Sequence, residues 1–592
     1  MGMFSSSSSS TSRASGKPWI RGVNLGGWLL AERFITPYLF ALNTCQRKGD
    51  WCFYPGQLSA PPASSKIHQY CDLYHCQPHL LDTTHDYPAD EYTLYQSFNN
   101  SALAKEYMTF HWDNFITKAD VQALQKAGIT HIRVPVPHYM MGDIHPGEPW
   151  IDGQWLYFVR FCGWARQYDI QVWIDLHTAP GSQNGFDNSG QLLPQPTCER
   201  WSSSDTNIER TIRAIQDISQ AVMDDNLRDV VTGFGILNEP YMDCDMPTVK
   251  KFNNDALSTV RKIMGEDTAV YMADSFNATK WNDGWWTDPD IYSNTYLDSH
   301  YYHVFADHER ELSPKQHIAY TCAKLSRETA SCCYEDAPKN KLVSTGISRI
   351  IGEWSAAFDS LPVAVLSDIM GNISKKGEAP MMDRQLSKQR QNFLEQLVKA
   401  QMVIYENAHT GVSSGWFFWT VKMEGGAFAE WDYLRGVTEG WIPELPPPHV
   451  ASEAMFGDCQ EIVKDTTNDM SIVQEYPNPE NSDTWAGPPI DDDYVLSVSG
   501  EKPRDQNKPI PTDQPASKPE SKSDTETKES GKEPTSPPGK KTKTTSGWHW
   551  FRWFSTILIC YGIWHVFLKD EYGFGRSRNE YTPLSSATQL NI

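Results

Sequence analysis

Short apolar runs of strand length recur along the chain up to about Gln460, each followed by a polar loop and a helical pattern. The runs cover residues 20–28, 131–136, 171–177, 230–239, 269–274, 294–302, 349–354 and 413–420. Between them, helical periodicity is readable over 117–127, 155–167, 207–223, 249–264, 361–370 and 389–406. Strands alternating with helices build βαβ units and a parallel sheet. Eight such units predict an α/β fold of the (β/α)8 TIM-barrel kind. The segment 37–110 is too long for a simple βα connection. It predicts a long loop insertion after strand 1, beside the barrel mouth.

Most of these runs contain or end in a polar residue: Asn24, His177, Glu239, Asp274, His300 and Glu353. Strand C-termini carry the active site of a (β/α)8 barrel, so placement and chemistry agree. Asn238-Glu239-Pro240 and Gly352-Glu353-Trp354 each close an apolar run. Charged residues rarely do so unless they face a pocket or a partner. Two such glutamates suit glycoside hydrolysis. One carboxyl protonates the leaving oxygen and one carboxylate attacks, or activates water. The competing reading makes each a salt-bridged strand terminus.

Composition changes the picture beyond the barrel. From about Thr466 the chain turns loop-like. From Gly500 it is rich in Lys, Glu, Asp, Ser, Thr and Pro, a composition that cannot bury a core. The stretch 548–568 is dominated by Trp, Phe, Ile, Leu and Tyr and is long enough to cross a bilayer. Trp548, Trp550 and Trp553 gather at one end, as at a membrane interface. The expected organisation is a leader (1–16), the barrel (17–463), a disordered stalk (464–547), a C-terminal transmembrane helix (548–568) and a short tail (569–592). Basic residues flank both sides of the span, so its orientation stays open.

The net charge of −22, from 52 basic and 74 acidic residues, argues against nucleic acid as a partner and fits a neutral substrate. None of the 12 cysteines falls in a paired CxxC zinc pattern. Disulfides in an oxidising compartment are expected, with free thiols in a cytosolic enzyme as the alternative. Sequons at Asn99, Asn277 and Asn372 point the same way, to the cell surface or secretory pathway. The serine-rich 1–16 shows no apolar signal core. Either the C-terminal span inserts the chain or the N-terminus is incomplete. A G-x-S-x-G match at 411–415 precedes a strand instead of joining strand to helix, so it is read as chance.

WIRGVNLGGW (19–28), HWDNFIT (111–117), VWIDLHTAPGSQNGFDNSG (172–190), GILNEP (235–240), DSHYYHVF (298–305), IGEWS (351–355) and GWFFWTVKMEG (415–425) fall in one order. Together they resemble fungal exo-β-1,3-glucanases of glycoside hydrolase family 5. The resemblance spans residues 17–445. It implies a retaining barrel enzyme, free of metal and cofactor, that releases glucose from the non-reducing end of β-1,3-glucan in cell-wall metabolism. It makes Glu239 the acid/base and Glu353 the nucleophile. Arg133 would support the nucleophile, and His177, Asn238, His300 and Tyr302 would line the −1 subsite. Glu32 would bind the terminal sugar. Phe186 and Phe305 would clamp the entrance beside Asp187 and Asn188, and Trp419 would be the sugar platform. Phe34, Val421 and Tyr95 depart from the family pattern, where Tyr, Trp and Cys are common. Transglycosylation, hydrolysis of another β-glucan, or a non-catalytic wall-binding module are the alternative functions.

Overall fold

The computed structural model describes residues 18–36, 39–40, 46–48, 51–53, 88–98, 101–281, 288, 290–305, 309, 312–329, 347–358, 386–409, 413–424 and 428–466. Eight parallel strands close into a barrel: β1 (Ile20–Asn24), β2 (His131–Val136), β3 (Gln171–Leu176), β4 (Val231–Gly235), β5 (Ala269–Ala273), β6 (Thr295–Tyr301), β7 (Ile347–Trp354) and β8 (Ser413–Phe418). Each pairs with its neighbour in sequence, and β8 pairs with β1 to complete the ring. All eight predicted runs are strands. Their expected ends differ where the chain must turn into the site. β1 stops at Asn24 because the chain reverses at Gly26-Gly27, where Gly27 has φ 71°. A Cβ on Gly26 would lie 2.8 Å from Cζ2 of Trp419.

The helices that coat the barrel bury one stripe each. Asp205–Asp224 buries Thr211, Ala214, Ile215, Ile218 and Val222, at helical spacing. The Ser204 side chain accepts from the Asn207 N–H at its N-terminus. Met246–Met264 buries Val249, Phe252, Ala256, Leu257, Val260 and Met264, and Asp245 caps it through the Thr248 N–H. Inside the barrel, Trp173, Tyr271, Tyr296, Ile350 and Phe417 form a mainly aromatic layer, with Trp173 and Tyr271 stacked at 5.3 Å. Burying rings of this size supplies much of the core's apolar area.

The insertion after β1 is more than a loop. It carries a short antiparallel pair, Gln46–Lys48 with Trp51–Phe53, then the helices Glu91–Gln96 and Ser101–Asn114. Its end borders the barrel mouth, as expected. The buried Glu91 carboxylate accepts from the Ala31 N–H at 2.8 Å, beside Glu32, and Asp90 accepts from the Leu192 N–H at 2.5 Å.

Two disulfides are present among the described residues, Cys198–Cys244 and Cys322–Cys459, and Cys162 is a buried free thiol. The predicted stalk starts at 464, but the helix Cys459–Asp465 runs into it; the rest of the stalk beyond 466, the predicted helix over 361–370 and the membrane span at 548–568 lie outside the described residues. No helix among the described residues is long and apolar enough to cross a membrane.

Candidate active site

Strand periodicity delivers the site. Residues two apart along an extended chain share a face, so Asp175 on β3 with His177 just past its end, and Asp298 and His300 on β6, come inward in pairs. They meet Asn24 from β1, Arg133 from β2, Asn238 and Glu239 beyond β4, and Glu353 from β7. The β6–β7 pairing shifts register between Ser299↔Ile351 and His300↔Glu353. A bulge of this kind re-aims a side chain, here Glu353. Gly352 makes room for it: its N–H donates to Asp298 Oδ1 at 2.7 Å, and a side chain there would collide with that carboxylate. Glu239 sits at φ 46°, a left-handed conformation sparsely used by glutamate and tolerated where the surroundings enforce it.

Arg133 is the hub. Nη1 donates to Glu353 Oε1 at 2.9 Å and to Asn24 Oδ1 at 2.8 Å; Nη2 donates to Asn238 Oδ1 at 2.8 Å and pairs with Asp175 Oδ1 at 2.9 Å. Burial opposes the charge on this guanidinium, but Asp175, Glu353 and Asp298 hold its pKa well above the ordinary arginine value. The bond to Arg133 also fixes the Asn238 amide, because guanidinium only donates. The amide nitrogen is left facing His177 Nε2 at 3.4 Å.

Glu353 accepts a second bond, from Tyr302 Oη to Oε2 at 2.9 Å. Glu239 accepts from Asn188 Nδ2 at 2.8 Å and is bonded to His300 Nδ1 at 2.6 Å; the same His300 nitrogen lies 3.4 Å from Glu353. Oxygens of Glu239 and Glu353 lie within 4.8 Å of each other, with the His300 nitrogen between them. Three ligand-type atoms this close could also surround a metal ion, but the imidazole already bridges the carboxylates. A second such group, Cys198, Asp243 and Cys244, has its sulfurs joined in a disulfide.

The electrostatics correct one expectation. An acid/base glutamate needs a raised pKa and a nucleophile an ionised carboxylate. In this unliganded site, burial raises Glu239, but the bond and charge of His300 and the Asn188 amide outweigh it and leave its carboxyl below the ordinary range. Burial raises Glu353, and the nearby Glu239 adds to this against His300 and Arg133, leaving it above the ordinary range. Burial disfavours the charge on His300, yet Glu353, Asp298 and Glu239 raise its pKa well above the ordinary value. The resting proton therefore sits on the His300 side of the Glu239–His300 pair.

The remaining predicted residues are grouped around this centre. Glu32 is 2 % exposed, and its Oε1 has no hydrogen-bond partner among the described residues. Burial, then the charges of Asp187, Glu353 and Glu239, push its carboxyl well above the ordinary range. Trp419 stacks on His177 at 5.5 Å and 15°. Asp187 and Asn188 lie on a short turn, Asp187–Ser189, with Asp187 raised by burial against the Arg33 charge. Phe186 and Phe305 fall in separate aromatic groups: Phe186 meets Tyr241 and Phe276, and Phe305 meets Tyr302 and Trp431. Phe34 and Val421 are accommodated by packing. Phe34 lies edge-on to Trp431 at 6.0 Å and Val421 is fully buried. Tyr95 donates its hydroxyl to Glu91.

Asp175, Asp298, Tyr241 and Trp431 were not singled out from the sequence. For the two aspartates the signal was present: each stands two residues before a candidate histidine in the same apolar run. Gln183 was hidden in a glycine-rich loop. Its fully buried amide donates to the carbonyls of His177 at 2.8 Å and Asn238 at 2.9 Å, tying two strand ends together.

Residues 85–369 match the family model described as cellulase (glycosyl hydrolase family 5). A glucan 1,3-beta-glucosidase of Blumeria graminis is 30% identical over 463 residues, covering 74% of this chain and 90% of that protein. A glucan 1,3-beta-glucosidase of Yarrowia lipolytica is 29% identical over 448 residues, covering 72% and 89%. Among solved structures, the rutinosidase from Aspergillus niger superposes with TM-score 0.50 at 18% identity, covering 72% of this chain and 98% of that one. That likeness concerns the fold.

Proposed function

The chain belongs to glycosyl hydrolase family 5, and from that premise we propose that it is a retaining exo-β-1,3-glucosidase releasing glucose from β-glucan. The observation that carries the reading is the pair of carboxylate oxygens within 4.8 Å. Retaining enzymes hold their two carboxyl groups about 5–5.5 Å apart; inverting ones need about 6.5–9.5 Å to admit a water. The naming of the relatives as glucan 1,3-beta-glucosidases supports the substrate class.

In this mechanism Glu353 attacks the anomeric carbon, and its developing ester is balanced by Arg133 and Tyr302. The proton held by the Glu239–His300 pair passes through Glu239 to the leaving oxygen. Glu239 then takes a proton from water as the ester is cleaved. Asn238, its amide oxygen held by Arg133, hydrogen-bonds the sugar 2-hydroxyl through its nitrogen, a contact that strengthens in the transition state. Glu32, protonated in the free site, donates to a hydroxyl of the terminal sugar. The insertion helix Glu91–Gln96 is tied to the Glu32 segment through the Ala31 N–H.

A cell-surface role in wall-glucan metabolism, with the chain tethered through 548–568, is part of the proposal. The two disulfides fit an oxidising compartment. Digestion of the native protein with an N-glycan-removing enzyme should increase its mobility; no shift contradicts the exterior placement.

Laminarin digestion tests the activity. Glucose is the expected first product, without an early ladder of longer oligosaccharides. No glucose, or cleavage confined to β-1,6 linkages, contradicts the assignment.

A further inference from the structure

Beside the catalytic pair, on the β5–β6 side, is a small pocket lined by Glu239, Ala273, Asp274, Ser275, Phe276, Asp298 and His300. It has room for about one water molecule. We propose that this pocket holds the water that hydrolyses the glycosyl-enzyme, and that Ser275 governs how the intermediate partitions between water and an acceptor alcohol. The inference rests on the retaining mechanism proposed above.

Three observations carry it. First, the Ser275 hydroxyl is buried, with the residue 1 % exposed, and has no hydrogen-bond partner among the described residues. A buried hydroxyl left unpaired costs about 1–3 kcal/mol, a cost that a bound water removes. Second, the backbone is held in a costly shape at this point. Ser275 and Phe276 both adopt left-handed conformations, φ 55° and 57°, which are rare for non-glycine residues and rarer for a bulky one. The Asp274 carboxylate fixes that turn: Oδ1 accepts from the Phe276 N–H at 2.8 Å, and Oδ2 accepts from Ser299 Oγ at 2.7 Å. Third, polar side chains reach a wall that is otherwise mainly apolar. Glu239, His300, Asp274 and Ser275 all border the pocket, and an ordered internal water needs two to four such partners.

The chemistry requires the water to come from the Glu239 side. In deglycosylation the water oxygen bonds to the anomeric carbon as the bond from that carbon to the Glu353 oxygen breaks. The bonding pair returns to the Glu353 carboxylate, and the water proton goes to Glu239. The water must therefore approach from the side of Glu239, which is a wall of this pocket. The space beside Ser275 takes about one water, and a larger alcohol enters it only if the walls move.

The test is product partitioning. An aryl β-glucoside is hydrolysed in the presence of fixed methanol, and the ratio of methyl glucoside to glucose is measured. In the Ser275→Ala protein the ratio should rise about threefold or more, the effect of one lost hydrogen bond. Ser275→Asn should raise it further, because Asn tolerates the left-handed backbone while filling the pocket. Thermal melting confirms that each variant is folded. In parallel, a 2-deoxy-2-fluoro-β-glucoside is used to label Glu353. A label that forms while the ratios stay at the wild-type value overturns this inference alone. Absence of a label in the wild-type protein overturns the retaining reading, and this inference with it.

Discussion

Tyr302 donates its hydroxyl to Glu353 Oε2 at 2.9 Å, on the carboxylate oxygen opposite the one held by Arg133. The two donors fix the carboxylate from both sides, and both favour its ionised form. Burial works against them, and the balance leaves the Glu353 carboxyl above its ordinary value.

Removing the phenol tips this balance further. Tyr302→Phe should lower kcat by about 10- to 100-fold, the range for a hydrogen bond to a charged group. Attack requires ionised Glu353, so activity is lost as pH falls through its pKa. That pKa is already raised, and loss of a donor raises it again. The acid limb of the variant's kcat/KM profile should move to higher pH; an acid limb unchanged from wild type would separate Tyr302 from the nucleophile.

The Glu32 carboxyl is held well above the ordinary range for a definable reason: it is buried, and the charges of Asp187, Glu353 and Glu239 add to the effect. A neutral amide should therefore replace it better than a truncated side chain. Glu32→Gln should keep KM for laminarin-type oligosaccharides within a few-fold of wild type, while Glu32→Ala should weaken kcat/KM by roughly 10-fold or more through the lost hydrogen bond and the space left behind. Equal losses in the two variants would show that Glu32 acts as a carboxylate.

Glu91 has a carboxyl raised by burial to about 7, against the hydroxyl of Tyr95 and the Ala31 N–H. The folded state therefore holds this proton more tightly than the unfolded chain. Its contribution is intact below the ordinary glutamate pKa and is lost as pH rises toward 7, a change on the order of 3 kcal/mol. Urea unfolding at pH 5 and pH 8 should show a shallower pH dependence for Glu91→Gln than for wild type. Identical slopes would mean that Glu91 titrates normally.

Much of this was legible in the residues themselves, and the reasons are physical. Buried parallel strands read as dense apolar runs, so all eight were visible, and the carboxylates closing β4 and β7 stood out against them. Strand ends were less visible, because Gly26-Gly27 and Leu237-Asn238 continue the pattern while the backbone has already turned. The insertion was read as loop because Glu91–Gln96 is short and Ser101–Asn114 has little amphipathic contrast. The direction of the glutamate pKa values was not legible at all. It depends on His300 reaching both carboxylates, a contact between residues 61 and 53 positions apart that only the closed barrel creates.

The central claim is that Glu353 attacks the sugar directly, with Glu239 close enough to serve both steps at the same carbon. Proton NMR of the first-formed sugar during laminarin hydrolysis tests it most directly. Initial appearance of β-glucose, followed by slow mutarotation to the α form, is the result this account predicts; initial appearance of α-glucose would contradict it.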